Sequence, residues 1–298
     1  MIDRLRVARR SLAETTAANV LRQSQVTGLW VDPLAIAASK NIMVQAKPDT
    51  ADGVSGVLVK VGDDFGIMYA TYIKSAGFQR FSIAHELGHY FMSGHADALL
   101  SDGFHASHAG FISTDPYEQE ADYFAAALLM PQRPFRLALD DHEPGLACVE
   151  ALSEACETSL TATAIRYSAL TRDGVAIIMS RGQSIDWCFM SDGLKQAKGL
   201  SFLRKGTPIP GNTATTDFNC RPENILSAQK AIADGSLNDW MDGDRTYRVT
   251  EEVVGLGTYG RTLTILTCAA LSLRPETDEN DEEEERNLID SWTLRFRK

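Results

Sequence analysis

A chain of 298 residues, 44% hydrophobic and 23% charged, is long enough for two domains of ordinary size and has globular rather than disordered composition. Its formal net charge is −11, but Glu276, Asp278, Glu279, Asp281 and Glu282 to Glu285 supply eight of those negatives in one run, leaving −3 for the rest; a globally basic nucleic-acid binder is disfavoured. No apolar stretch approaches the length of a membrane span, and five scattered cysteines without a CxxC pair argue against a disulfide framework and for a reducing compartment.

The chain opens on a basic segment with Arg4, Arg6, Arg9 and Arg10, but no apolar core follows it as in a signal peptide. Residues 1–30 read as an amphipathic helix of a cytoplasmic protein. Between Asp52 and Tyr72, Val57, Val59 and Val61 alternate before Gly62-Asp63-Asp64, and Gly66 to Tyr69 continue after that turn, which predicts a β-hairpin. Phe78 to Ser93 reads as a helix stopped by Gly94. Gly94 to Thr114 is rich in Gly, Ser, His and Asp and reads as a long loop. Asp115-Pro116 then opens a helix that runs to about Met130, with proline at a first-turn position where its missing N–H costs little.

From Arg133 to Arg172 the pattern is helical. Val149, Leu152 and Cys156 share a stripe, Glu157-Thr158-Ser159 makes a turn, and Leu160 to Leu170 forms a second helix. Two hairpins follow, Val175–Met179 with Ile185–Phe189 and Tyr247–Leu256 with Arg261–Leu271, with a helix from Pro222 to Ala233 between them. The acidic run 276–285 reads as a solvated linker. The expected fold class is α+β, in three parts: 1–132, a helical segment 133–172, and an α+β domain 173–298.

The chemistry concentrates in His85-Glu86-Leu87-Gly88-His89, an HExxH motif inside a predicted helix. Positions i and i+4 stack on one helical face, so both imidazoles can reach one metal ion, and Glu86 beside them can accept a proton from an attacking water. A third ligand is needed. In Tyr117 to Ala125, Glu118 falls roughly 50° from the centre of the apolar face and Glu120 roughly 110° away. Glu118 is therefore the inward carboxylate. Asp122, one turn later, is placed to accept a hydrogen bond from the far nitrogen of a ligand histidine. His95, His105 and His108 lie in the intervening loop. His105 and His108 are candidates for the oxyanion or the cleft, and Tyr90 and Tyr123 are weaker ones.

RFSIAHELGHYF followed by EQEADYFAAALLMP resembles the ImmA/IrrE family of gluzincin-like metallopeptidases. The resemblance implies Zn²⁺ bound by His85, His89 and Glu118, Glu86 as catalytic base, and cleavage of a helix-turn-helix repressor that controls stress-response or mobile-element genes. The clear match spans about residues 50 to 132. Beyond it, a helix-turn-helix-like segment and a GAF-like, sensory last domain resemble longer members. Two alternatives remain open: a non-catalytic anti-repressor that sequesters its partner, and a DNA-binding regulator. Thr161, Thr163 and Arg166 would face DNA on the second helix of the pair, but residues 133–172 carry a net charge of about −2, so strong nucleic-acid binding is not expected. The Gly66–Thr71 strand is the candidate cleft edge for a peptide bound by strand addition.

Overall fold

The computed structural model of the chain describes residues 7–47, 53–108 and 113–273. The acidic run 276–285, like Arg4 and Arg6, lies outside the described residues. The chain divides into two compact units, Met1–Leu170 and Thr171–Lys298. The helical segment groups with the first unit rather than standing alone. The fold is mixed α+β.

In the first unit, α1 (Arg10–Gln23) and α2 (Pro33–Ser39) precede β1 (Met43–Lys47), β2 (Val54–Val61) and β3 (Asp64–Ala70). Then come α3 (Ala76–Phe91), α4 (His95–Leu99), β4 (Phe104–His108) and α5 (Pro116–Leu129), followed by α6 (Gln132–Asp140), α7 (Leu146–Cys156) and α8 (Leu160–Leu170). The sheet order is β1-β3-β2-β4, with β1 parallel to β3 and the remaining pairs antiparallel. Residues 1–30 were expected to be one helix; α1 is shorter, and α2 and β1 are additional. The expected hairpin is β2–β3. Its valine stripe marks the less buried side, whereas Leu58 and Ile67 belong to the core. β3 is paired on both edges and cannot accept a further strand. Among the described residues β4 pairs only with β2, so the open edge next to the site is β4.

The expected loop from Gly94 to Thr114 holds α4 and β4 instead. α4 is too short to show a period, and Phe104-His105-Ala106-Ser107-His108 lacks the β-branched residues that announce a strand. Its register comes from pairing with β2. Asp115 caps α5 as anticipated, its side chain accepting from the Tyr117 amide. α1 and α3 both pack along α5. At Gly88 a Cβ would sit 3.0 Å from the Ala121 Cα, so glycine there lets α3 and α5 approach backbone to backbone. Ala84, Leu87, Phe124, Ala125 and Leu128 fill the core around that contact.

α7 and α8 are the expected helical pair, joined by a turn in which Glu157 is left-handed at φ 50°. The residues proposed to read DNA, however, are buried. Thr163 is fully covered, and Arg166 donates to the Met130 carbonyl at 3.1 Å and to Glu14 at 3.2 Å. α8 is an internal packing helix.

The second unit is a five-stranded antiparallel sheet with short helices. In chain order it runs β5 (Gly174–Arg181), β6 (Ser184–Met190), α9 (Asp192–Lys195), α10 (Ala214–Asn219), α11 (Pro222–Leu226), β7 (Lys230–Ser236), α12 (Leu237–Trp240), β8 (Arg248–Gly255) and β9 (Thr262–Cys268). The order across the sheet is β6-β5-β9-β8-β7. Both expected hairpins are present. The expected helix from Pro222 to Ala233 is overturned in its second half: Ala228 is left-handed at φ 50°, and Lys230 to Ser236 pair with β8. The alanines suggest helix, but tertiary strand pairing overrides that weak preference. Among the described residues no helix is long and apolar enough to cross a membrane, and all five cysteines are unpaired.

Candidate metal centre

Five of the six histidines lie between positions 85 and 108, and four of these meet around α3 and α5. The i, i+4 spacing puts the Nε2 atoms of His85 and His89 only 3.1 Å apart. Glu118, from the first turn of α5, sets one oxygen 3.3 Å from each of them. The ligand atoms of His85, His89 and Glu118 all lie within 4.8 Å of one another.

This donor set fits a divalent cation. His85 donates its Nδ1 proton to Asp122 at 2.9 Å, so in the neutral ring that a metal binds Nε2 is bare and aimed at the cluster. Two imidazole lone pairs and a carboxylate converging on one point suit zinc or a similar metal. Glu118 and Asp122 stand four positions apart on α5, so one helical face supplies both the third donor and the partner that orients the first.

Glu86 points to the other side of the motif, beneath β2 and β4. It is fully buried, and neither carboxylate oxygen has a hydrogen-bond partner. Gly56 on β2 makes room for it: a Cβ there would lie 2.4 Å from Glu86 Oε1. Burial pushes the Glu86 carboxyl up to about 7, against the opposing pull of His85 and the Ser107 hydroxyl on β4. Burial also acts against the charged form of His85, but Asp122 and Glu118 outweigh it and raise that imidazole well above its usual range. His89, buried beside His85, is pushed down to about 3. Burial works against ionised Glu118 too, but the hydrogen bond from His105 and the neighbouring imidazoles of His85 and His89 hold it far below the usual carboxylate range.

Of the weaker candidates, His105 reaches the cluster, donating from Nε2 to Glu118 at 2.7 Å. His108 does not. Strand alternation places His105 and Ser107 on the face toward the helices and His108 on the opposite, exposed side. Tyr90 packs on Phe65 and Phe91, and Tyr123 lies under Arg10. His95, read above with the surface loop, is fully buried, and so is Glu120. His95 Nδ1 lies 3.0 Å from His89 Nδ1, and its Nε2 donates to Glu120 at 2.9 Å. The single apolar face read from the sequence of α5 does not describe its surroundings. α5 is covered by α3 on one side and α1 on another, so Glu120 is enclosed as well. The signal that could have exposed it is Arg9, a cation that pairs with Glu120.

An α+β unit with this cluster is of the metallopeptidase type. Residues 37–168 match the model of the M78 peptidase family, described as the IrrE N-terminal-like domain. Among solved structures, a Mycobacterium tuberculosis transcriptional regulator has a similar fold, with a TM-score of 0.53 and 17% identity over 88% of this chain and 77% of that one. No curated protein matches the chain in sequence.

Proposed function

We propose that the chain is a zinc endopeptidase that cleaves a helix-turn-helix repressor and so releases the genes under its control. One observation carries the reading: a fully buried, unpartnered carboxylate, Glu86, sits next to three converging metal donors. A structural metal site has no need of it. His85, His89 and Glu118 would hold the metal, which when bound supplies Lewis-acid polarisation of the peptide carbonyl and makes water a stronger acid. Glu86, held near neutral pKa by burial, takes the proton of the attacking water and returns it to the leaving amine. Asp122 fixes the His85 ring. His105 keeps Glu118 oriented and is the remaining candidate to donate to the substrate carbonyl. The open edge of β4 suits an extended peptide held by main-chain hydrogen bonds.

The second unit is proposed as a regulatory module. Its five-stranded antiparallel sheet with short helices is compatible with the GAF-like reading. The neighbour's description as a transcriptional regulator agrees with a role in gene control, reached through a protein partner. Direct DNA reading is disfavoured by the burial of Thr163 and Arg166.

The test is incubation of the zinc-loaded protein with helix-turn-helix repressors from its own genome, read by intact mass. Cleavage at one site, abolished by a chelator and by His85→Ala or Glu118→Ala, is the expected result. Tight binding of a repressor without cleavage would replace the enzyme with a sequestering anti-repressor.

A further inference from the structure

Behind His89 runs a chain of polar contacts, buried at His95 and Glu120, that the proposed chemistry does not use. Its outer end is Arg9, the residue before α1. The Arg9 amide and Nε both donate to Glu120 Oε1 at 3.0 Å, and its terminal nitrogen donates to Oε2 at 2.7 Å. Three donors from one residue hold Glu120 as a carboxylate in a fully buried position. An ionised carboxylate accepts only, so His95 Nε2, at 2.9 Å from Glu120 Oε2, carries a proton. A neutral His95 then has a bare Nδ1. The partner of that bare nitrogen, 3.0 Å away, is His89 Nδ1, which must donate. His89 therefore keeps its own Nε2 free of hydrogen, facing His85 and Glu118.

We propose that His95, Glu120 and Arg9 are positioning residues that fix the tautomer and ring orientation of His89, and so tie the metal affinity of the site to the docking of the chain segment ahead of α1. This rests on the reading of His85, His89 and Glu118 as metal ligands. The two ligand histidines are then set by different means. His85 relies on a single partly exposed carboxylate, Asp122, on the same helix that supplies Glu118. His89 relies on a three-residue chain that crosses from α3 through α4 to α5 and ends at α1. Only the second links the metal to the N-terminal segment.

The test uses the full chain and zinc. Zinc affinity is measured by competition with a chromophoric chelator for wild type, His95→Phe, His95→Gln, Glu120→Gln and Arg9→Gln. Imidazole ¹⁵N shifts report the His89 tautomer, and thermal melts in excess chelator report folding independently of metal. His95→Phe keeps the ring's size but offers no acceptor; affinity should fall about 10–100-fold and the His89 signals should lose their single tautomer. His95→Gln retains an acceptor toward His89 and a donor toward Glu120, and should stay within about threefold of wild type. Glu120→Gln should fall between these, and Arg9→Gln should have the smallest effect, because the backbone amide of Arg9 still donates. Equal affinity and an unchanged tautomer in His95→Phe would overturn the inference. So would an equal loss in His95→Phe and His95→Gln, because a packing role predicts that pattern. If the wild-type protein binds no zinc, the metal reading itself fails and this inference falls with it.

Discussion

Both units bury carboxylates inside polar surroundings, and two of them, Glu86 in the first and Glu251 in the second, are handled in opposite ways. In the second unit Glu251, on β8, accepts from the Thr215 amide at 2.7 Å, the Thr215 hydroxyl at 2.6 Å, the Ala214 amide at 3.3 Å and the Trp240 indole at 3.5 Å. The network continues through Thr264 to the sheet, and Asn219 bridges Ser180 and Thr262 beside it. In the first unit neither Glu86 oxygen has a partner in hydrogen-bond geometry, and only the nearby Ser107 hydroxyl and His85 favour its charged form. A satisfied buried charge pins α10 to its sheet. An unsatisfied one has a desolvation cost with no offset in the fold, and such groups mark places where function sets the residue. Burial alone does not tell a structural carboxylate from a working one; the donor count does.

The contrast breaks most sharply at Glu86→Gln. The three metal donors are untouched, so zinc content should match wild type, and repressor capture should survive. Gln cannot accept the water's proton, so cleavage should fall by roughly 10²–10⁴-fold. Single-turnover cleavage followed by intact mass measures this. Activity close to wild type would make Glu86 another structural carboxylate, as Glu251 is.

Gly56→Ala approaches the same group from its surroundings. The added Cβ would stand within 3.0 Å of three Glu86 atoms, so the carboxylate must shift while the metal donors stay in place. A displacement of about an ångström costs on the order of 10²-fold in a positioned reaction. The expected variant is folded and zinc-loaded but slow. Its kcat should fall more than its zinc affinity, and a reverse order would show that the crowding is transmitted to the ligands.

Glu251→Leu sharpens the other side of the comparison. It strips the acceptor from two α10 amides and the Trp240 indole, and should lower the stability of the second unit by about 3 kcal/mol in urea unfolding. Zinc content of the first unit should not change. A stable Glu251→Leu variant would mean that the donors find other acceptors and that Glu251 is dispensable to the fold.

The sequence made the reactive residues easier to read than the scaffold that aims them. HELGH lies in one continuous helix, so its 3.6-residue period and flanking Phe81, Ala84 and Leu87 suffice to place His85 and His89 on one face. Glu118 followed from the apolar stripe of α5. What escaped was whatever depends on a distant partner. His105 and Ser107 face the site only because β4 pairs with β2 across more than forty residues of chain. Glu120 is buried only because α1 returns to cover α5. β7 is a strand only beside β8, since its own residues favour a helix. Local periodicity carries no trace of such long-range pairings.

The smallest expected effect is also the one in which the two carboxylates should differ in sign. Burial raises the Glu86 carboxyl from its ordinary 4.5 to about 7, so the folded chain binds that proton more tightly than the unfolded chain does. Folding stability therefore declines as pH rises through the window from about 4.5 to 7, and above 7 the full cost of the buried charge is present. Gln carries no such cost. In excess chelator, where protein groups alone set the balance, Glu86→Gln should be more stable than wild type by about 2–3 kcal/mol at pH 8, and the gain should vanish below pH 4.5. Glu251→Gln should behave in the opposite way at pH 8, because it exchanges a carboxylate that accepts four hydrogen bonds for an amide with a single acceptor oxygen. Thermal melts of both variants across that pH range decide the matter. If Glu86→Gln also loses stability at pH 8, then Glu86 has partners that stabilise its charge, and the distinction between a working carboxylate and a structural one fails.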